Sequence, residues 1–314
     1  MQRKMANFVR RSRALATAAL LLLPHFAQQA FAQTTNASAI DVFSHVRGLG
    51  LTAVFELPIA PTNRSNKATA GGSTSSQSQK GDQDEGCVLS PEIQPKTEAG
   101  KLVAARGWHV TAEEKIGRRQ AVSFAGKFER GTSGNCTAKQ GNIGIFSGSS
   151  LVAIAYAVHS SEPSISKFVP LENGDLRIWD GDLYIANNNL QGLPIADLVV
   201  QDDGALRLVP LSLEETFCQG KVRVPNIYLQ PIDRARKMLI AAGWTPKPVD
   251  DDDGVSDPRA RKLAEKGMPE VKACSMGLAF CWFHYAGTFG TLEVTTQGEL
   301  NLPAVAGYHV TCSK

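Results

Sequence analysis

The spacing of apolar residues changes rhythm along this chain, and each change marks an element. Thr97 to Arg106 carries apolar positions at helical spacing and stops at Gly107, a residue suited to the left-handed position just past a helix. Trp108 then turns the chain back toward a core. From there the period drops to two, with Val122, Phe124 and Phe128 alternating with smaller or polar neighbours. Ile143 to Phe146 and Leu151 to Val158 flank Ser147-Gly-Ser-Ser, a hairpin pattern. Leu176 to Trp179 runs into an expected Asp180-Gly181 turn. Leu198 to Val200 and Leu206 to Leu211 flank Asp202-Asp-Gly204, a second hairpin signal.

The C-terminal third repeats the theme. Val222 to Val224 reads as a short strand, and Pro231 to Ala242 as a helix halted by Gly243 and followed by Trp244. Asp257-Pro258 predicts a second helix start, with Asp257 as N-cap and Pro258 at the first helical position. Lys266 falls in its last turn and Gly267 just past it. Strands are expected over Phe280 to Tyr285, Thr291 to Thr296 and Ala304 to Thr311. Leu102-Val-Ala-Ala-Arg-Gly-Trp108 and Leu239-Ile-Ala-Ala-Gly-Trp244 run in the same order, helix then glycine then tryptophan then strand. The fold class expected is α+β. It comprises two small disulfide-bonded domains, each an antiparallel sheet with one or two helices, over residues 87–217 and 218–314.

What precedes residue 87 has a different texture. Arg3, Lys4, Arg10, Arg11 and Arg13 lead into an apolar run from Ala14 to Leu23, then Pro24 and Ala30-Phe-Ala32 before Gln33. This is the order of a secretory signal cleaved near Ala32/Gln33. The run is about half the length of a membrane span. Residues 1–32 are therefore read as signal and 33–86 as an N-terminal segment and linker. Pro61 to Glu85 is nearly all small and polar, and such a stretch cannot bury enough apolar surface to offset its ordering entropy. The location expected is periplasmic or secreted, with no membrane span after cleavage.

Charge changes once the signal is set aside. The chain has 33 basic and 30 acidic residues, and five of the basic ones lie in the signal, which leaves 28 against 30. The basic excess belongs to the signal and argues for no nucleic-acid partner. The 6 cysteines, Cys87, Cys136, Cys218, Cys274, Cys281 and Cys312, all follow it. An even number in an exported chain reads as disulfides, with fifteen possible pairings. Locality suggests Cys87–Cys136, Cys274–Cys281 and Cys218–Cys312. The last would close a loop of roughly 95 residues, worth about 4–5 kcal/mol in the chain-entropy model.

Two resemblances bear on function. Val224-Pro-Asn-Ile-Tyr228, continuing through Ala235 and Leu239 to Gly243, resembles the opening of a PASTA module. That family implies recognition of cell-wall fragments, and so a peptidoglycan partner. The chain departs from it at Asp250 to Asp253, where an acidic insertion stands, and in its cysteines. The chain after the signal also resembles exported α-proteobacterial proteins of unknown function. Gln120 to Gly126 with Gly131-Thr-Ser-Gly134 carry that resemblance, together with Glu270 to Cys274, Cys281 and Phe283. It implies a compartment and brings no activity.

Sites of chemistry were sought in the spacing. Cys281-x-x-His284 and His309-x-x-Cys312 have zinc-like spacing, but on strands an offset of three puts each histidine on the opposite face from its cysteine. Asp250 to Gly254 resembles a calcium loop, yet aligning Gly254 with the invariant glycine puts Val249 and Ala260 where acids are required. Ser164-x-x-Lys167 has a β-lactamase spacing, framed by Pro163 and Pro170 and without the accompanying motifs. His109, His159, His284 and His309 read as amphipathic strand positions. No cofactor, metal or catalytic set is therefore assigned. The expected function is a non-catalytic exported binding or interaction protein, acting on peptidoglycan or on another exported protein. The alternative is an exported hydrolase whose site is assembled from sequence-distant residues. Trp179 and Tyr184, beside the Asp180-Gly181 pair, are the candidate binding surface.

Overall fold

The computed structural model describes residues 40–61, 94–130, 135–159, 164–184, 189–190, 192–249, 257–275, 279–299 and 302–313. The signal, most of the linker, Cys87, the acidic insertion and Gly131-Thr-Ser-Gly134 lie outside them. So do the side chains of Cys136 and Tyr184. Within the described residues the chain is mostly sheet with three short helices, so α+β holds in a loose sense.

Two five-stranded sheets face each other. The first orders β1 (Val42–Ser44), β14 (Leu206–Val209), β13 (Pro194–Val200), β10 (Leu176–Asp180) and β9 (Ile165–Pro170). The second orders β2 (Leu49–Ala53), β8 (Ser150–Ala157), β7 (Asn142–Ser147), β4 (Arg119–Ala125) and β3 (His109–Ile116). Alternation along the strands sends Ile143, Ile145, Ala153 and Ala155 inward to meet Leu176, Ile178, Leu198 and Leu208. The segment before the linker joins this sandwich. It supplies β2, which pairs with β8, while β1 lies parallel to β14.

The second sheet is covered on its other face as well. Helix α1 (Glu98–Ala105) sets Ala99 and Val103 against Val110, Val122, Phe124 and Phe146. β4 is consequently buried on both sides over Ala121–Ala125, which is why its alternation is muted in the sequence. The polar Ser123 within it hydrogen-bonds Thr111 at 2.6 Å.

The C-terminal part packs α2 (Ile232–Ala241) and α3 (Pro258–Glu265) on a third five-stranded sheet. That sheet runs β17 (Thr245–Pro246), β19 (Phe280–Gly287), β20 (Gly290–Gln297) and β21 (Ala304–Cys312), with β18 (Val271–Cys274) also on β19. Cys281, Phe283 and Tyr285 point into its core, and Trp282 and His284 lie on the other face. The helix ends follow local chemistry. The Thr97 hydroxyl accepts from Gly100 N–H, and Asp257 accepts from the N–H of Arg259 and Ala260. Gly107 and Gly243 take φ of 86° and 92°, and the next amides, of Trp108 and Trp244, donate back to Val103 and Leu239. The sequence echo is thus one C-terminal helix cap used twice.

Cys218 is bonded to Cys312, and Cys274 to Cys281 across the β18–β19 pair. These are two of the three pairings that locality suggests. They also dispose of the zinc-like pattern, because both of its cysteines are bonded elsewhere. The hairpin of β15 (Glu214–Phe217) and β16 (Val222–Pro225) straddles the boundary expected at 217/218.

Candidate functional site

Three strands of the sandwich do not end where their sheets do. β4 continues past Gly126 as β5 (Lys127–Arg130), and β6 (Asn135–Lys139) returns through Gln140-Gly141 into β7. β10 continues past Gly181 as β11 (Asp182–Tyr184). With β12 (Asn189–Leu190) these extensions form a separate four-stranded sheet. Asp180-Gly181 is therefore not a hairpin turn. It is a bend that passes one strand from sheet to sheet, with Gly181 at φ 81°. The Asp180 carboxylate is used structurally, accepting from Leu193 N–H at 2.8 Å.

Between this small sheet and β8 lies a cleft of about 860 Å³. Ile154 and Tyr156 of β8 line one side, pointing away from the sandwich core that takes Ala153 and Ala155. The Tyr156 ring is seated on Gly50, where an added Cβ would meet it at 2.6 Å, and its hydroxyl lies 3.3 Å from Thr52 Oγ1. The opposite wall carries Lys127 and Glu129 of β5 with Thr137 and Lys139 of β6. Alternation explains the segregation, since Phe128 and Ala138 are buried on the other face of the same hairpin. Gln140, Gly141 and Asn142 close one end. Gly141 sits so close to Ile165 that a Cβ would lie 1.6 Å from its carbonyl oxygen.

The charges are ordered. Lys127 and Lys139 are direct partners across the hairpin. Glu129 spans both, with Lys127 Nζ at 2.9 Å and Lys139 Nζ at 3.6 Å. The hydrogen bond from Lys127, helped by both lysine charges, holds the Glu129 carboxyl below the ordinary carboxylate range. His159 and Ser164 also line the cleft. The Ser164 hydroxyl accepts from Gly141 N–H at 3.0 Å, and among the described residues no hydrogen bond joins it to His159. Nor do three metal-ligating side chains gather anywhere among the described residues.

A second cluster, built around the buried Arg177 and Asp197, ties the sandwich to the C-terminal part. Arg177 of β10 holds Asp197 of β13 through Nε at 2.9 Å and Nη2 at 3.2 Å, and its Nη1 bonds Glu215 of β15. Glu215 also accepts from the Tyr308 hydroxyl at 2.9 Å, and Arg177 lies 5.7 Å from the centre of the Tyr228 ring. Burial pulls Arg177 toward losing its proton, but Asp197 and Glu215 outweigh it and raise its pKa. Burial, with the Glu215 charge, pushes Tyr228 up to about 12. Trp179 belongs to this cluster, edge-on to Tyr228 at 5.7 Å with its Nε1 buried and without a hydrogen-bond partner. It packs here, on the far side of the Asp180 bend from Tyr184, whose side chain lies outside the described residues.

The remaining sequence candidates are scattered. His309 is exposed on β21, His109 packs against Phe128, and His284 pairs with Glu293 at 2.8 Å on the sheet surface. Lys167 is separated from Ser164 by Ile165 and Ser166 along β9, and burial lowers it to about 8. The charged wall of the cleft was missed in the sequence. Its only local trace is the alternation Lys127-Phe-Glu129, which says which residues share a face but not what they face. No family model, no curated protein and no solved structure matches this chain.

Proposed function

We propose that this chain is an exported, non-catalytic binding protein that takes a small polar ligand in the cleft between the β5–β6 hairpin and β8. The observation that carries the reading is the cleft itself. Its volume falls within the roughly 300–1,000 Å³ typical of ligand sites, and it joins an aromatic and aliphatic side to a wall of hydrogen-bonding groups. Tyr156, held in place from behind, offers a ring edge or face to an apolar patch of the ligand. Thr137, Gln140 and Asn142 offer donors and acceptors to hydroxyl or amide groups. Two disulfides suit an oxidising compartment. Among the described residues no helix is long and apolar enough to cross a membrane. The PASTA-like stretch favours a cell-wall fragment, whose sugars and short peptides carry the groups this wall can bond.

The test is retention of the oxidised chain 33–314 on purified peptidoglycan, beside capture from periplasmic extract. Retention that falls with Asn142→Ala and Tyr156→Ala, each checked for folding by circular dichroism, supports the reading. Retention indifferent to both variants moves the binding surface elsewhere. No retention, with one protein captured instead, replaces the ligand-binding reading with a protein-interaction one.

A further inference from the structure

The cleft's charges are placed in a way its size does not require. Like charges directly opposite each other weaken a strand pair, yet Lys127 and Lys139 are opposite on β5 and β6. One carboxylate, Glu129, offsets both by lying between their ammonium groups. None of the three is buried, with side-chain exposures of 41, 40 and 49 %. Exposed ion pairs of this kind are weak and exchange readily with solvent ions. The two lysines thus form a fork already sized for a carboxylate, and the carboxylate in it is weakly held. Among the described residues the cleft's other carboxylate is Asp180, which accepts from Leu193 N–H. His159 adds a third nitrogen base to the same lining. A cation would have to displace two ammonium groups to reach Glu129, whereas an anion meets those ammonium groups directly.

Resting on the binding reading above, we infer that the ligand of this cleft bears a carboxylate or phosphate group, which replaces Glu129 between Lys127 and Lys139. Glu129 is then an internal competitor. It holds the two lysines together in the empty cleft and yields them to the ligand's anion. Removing it should strengthen anion binding, the reverse of what losing a ligand-contacting residue does.

The experiment titrates the oxidised chain 33–314 at low salt with D-glucuronate, inorganic phosphate and D-glucose, following lysine and amide resonances of the cleft by NMR. Glucose matches glucuronate except at the carboxylate. Glucuronate or phosphate should bind about tenfold more tightly than glucose and lose about tenfold on Lys127→Gln with Lys139→Gln. Either anion should weaken as ionic strength rises. Glu129→Gln should tighten the anion about three- to fivefold, the scale of one exposed ion pair. A Glu129→Gln variant that binds the anions no better, or less well, overturns the inference. So does a cleft that takes neither anion. Glucose binding as well as glucuronate removes the anion inference and leaves the cleft reading standing. Peptidoglycan retention with no cleft resonance moved by any probe removes the cleft reading itself.

Discussion

Replacing Arg177 by Met should unfold this protein more readily than any other single charge substitution among its described residues. The side chain is 4 % exposed, and its partners Asp197 and Glu215 are 2 % and 13 % exposed. Met fills similar volume, so the loss is electrostatic and not a cavity. What remains for Asp197 is Ser212, through its N–H at 3.2 Å and its hydroxyl at 3.4 Å, and for Glu215 the Tyr308 hydroxyl. Neither offsets a buried negative charge. Breaking such a pair from one side costs about 3–5 kcal/mol, which for a chain of this size is a fall in Tm of about 10 °C. Urea unfolding at pH 7, followed by far-ultraviolet circular dichroism, measures it. Arg177→Met combined with Asp197→Leu and Glu215→Gln should regain most of the loss, because a neutral core of matched volume needs no counter-charge. A deficit below about 1 kcal/mol at pH 7 would refute the reasoning.

Three further outcomes follow from the same structure. Lys167, lowered by burial to about 8, loses its proton in the folded chain before it does in the unfolded chain near 10.5. The unfolded state then holds more protons in that window, and stability should rise from pH 8 toward 10. The curve should be flatter for Lys167→Met. Above about 10 the trend should reverse, since Tyr228 keeps its proton to about 12. Removing Cys218–Cys312, a separation of 94 residues, should cost about 4–5 kcal/mol, against about 2–3 for Cys274–Cys281, a separation of 7, read by urea unfolding of the paired serine variants. Gly141→Ala should destabilise at the upper end of about 1–3 kcal/mol, because its Cβ would fall 1.6 Å from the Ile165 carbonyl oxygen; an unchanged midpoint would mean the β6–β7 link shifts freely.

The helices were the most legible elements in the sequence, and the reason is that their ends are local. Thr97, Asp257-Pro258 and the glycines at 107, 243 and 267 act within four residues of themselves; α1 and α3 start beside them, and all three helices stop beside them. The pairing of Cys274 with Cys281 is local in the same way. Strand existence was legible from the period-two pattern, but strand partners were not. Nothing near Val42 announces that it lies beside Leu206. Nor does the sequence around Asp180 distinguish a hairpin turn from a strand that bends between sheets, since both call for a short polar residue and a glycine with positive φ. The Arg177 cluster is less legible still. It joins residues 20 and 38 positions away, and through Glu215 another 93 positions away. Charge alternation along β10, β13 and β15 reads as solvent-facing until the third partner is known.

The cleft shows why the candidate site escaped a sequence reading that found its neighbours. Trp179, an aromatic beside the Asp180-Gly181 pair, reads from the sequence as a contact surface, but the bend turns its ring toward Tyr228. The space opens instead on the other side, where β5 and β6 leave the second sheet. Once two sheets diverge, the wedge between them must be filled by side chains or left open. Here one face of the hairpin carries Phe128 and Ala138 into the core, so alternation hands the wedge to Lys127, Glu129, Thr137 and Lys139. Apolar residues at those four positions would have closed it. That charged residues stand there, at direct cross-strand spacing that is unfavourable for two lysines, is a departure from the packing rule the rest of the sandwich obeys. Departures of that kind concentrate where a protein meets something else, and this one forms a wall of the cleft.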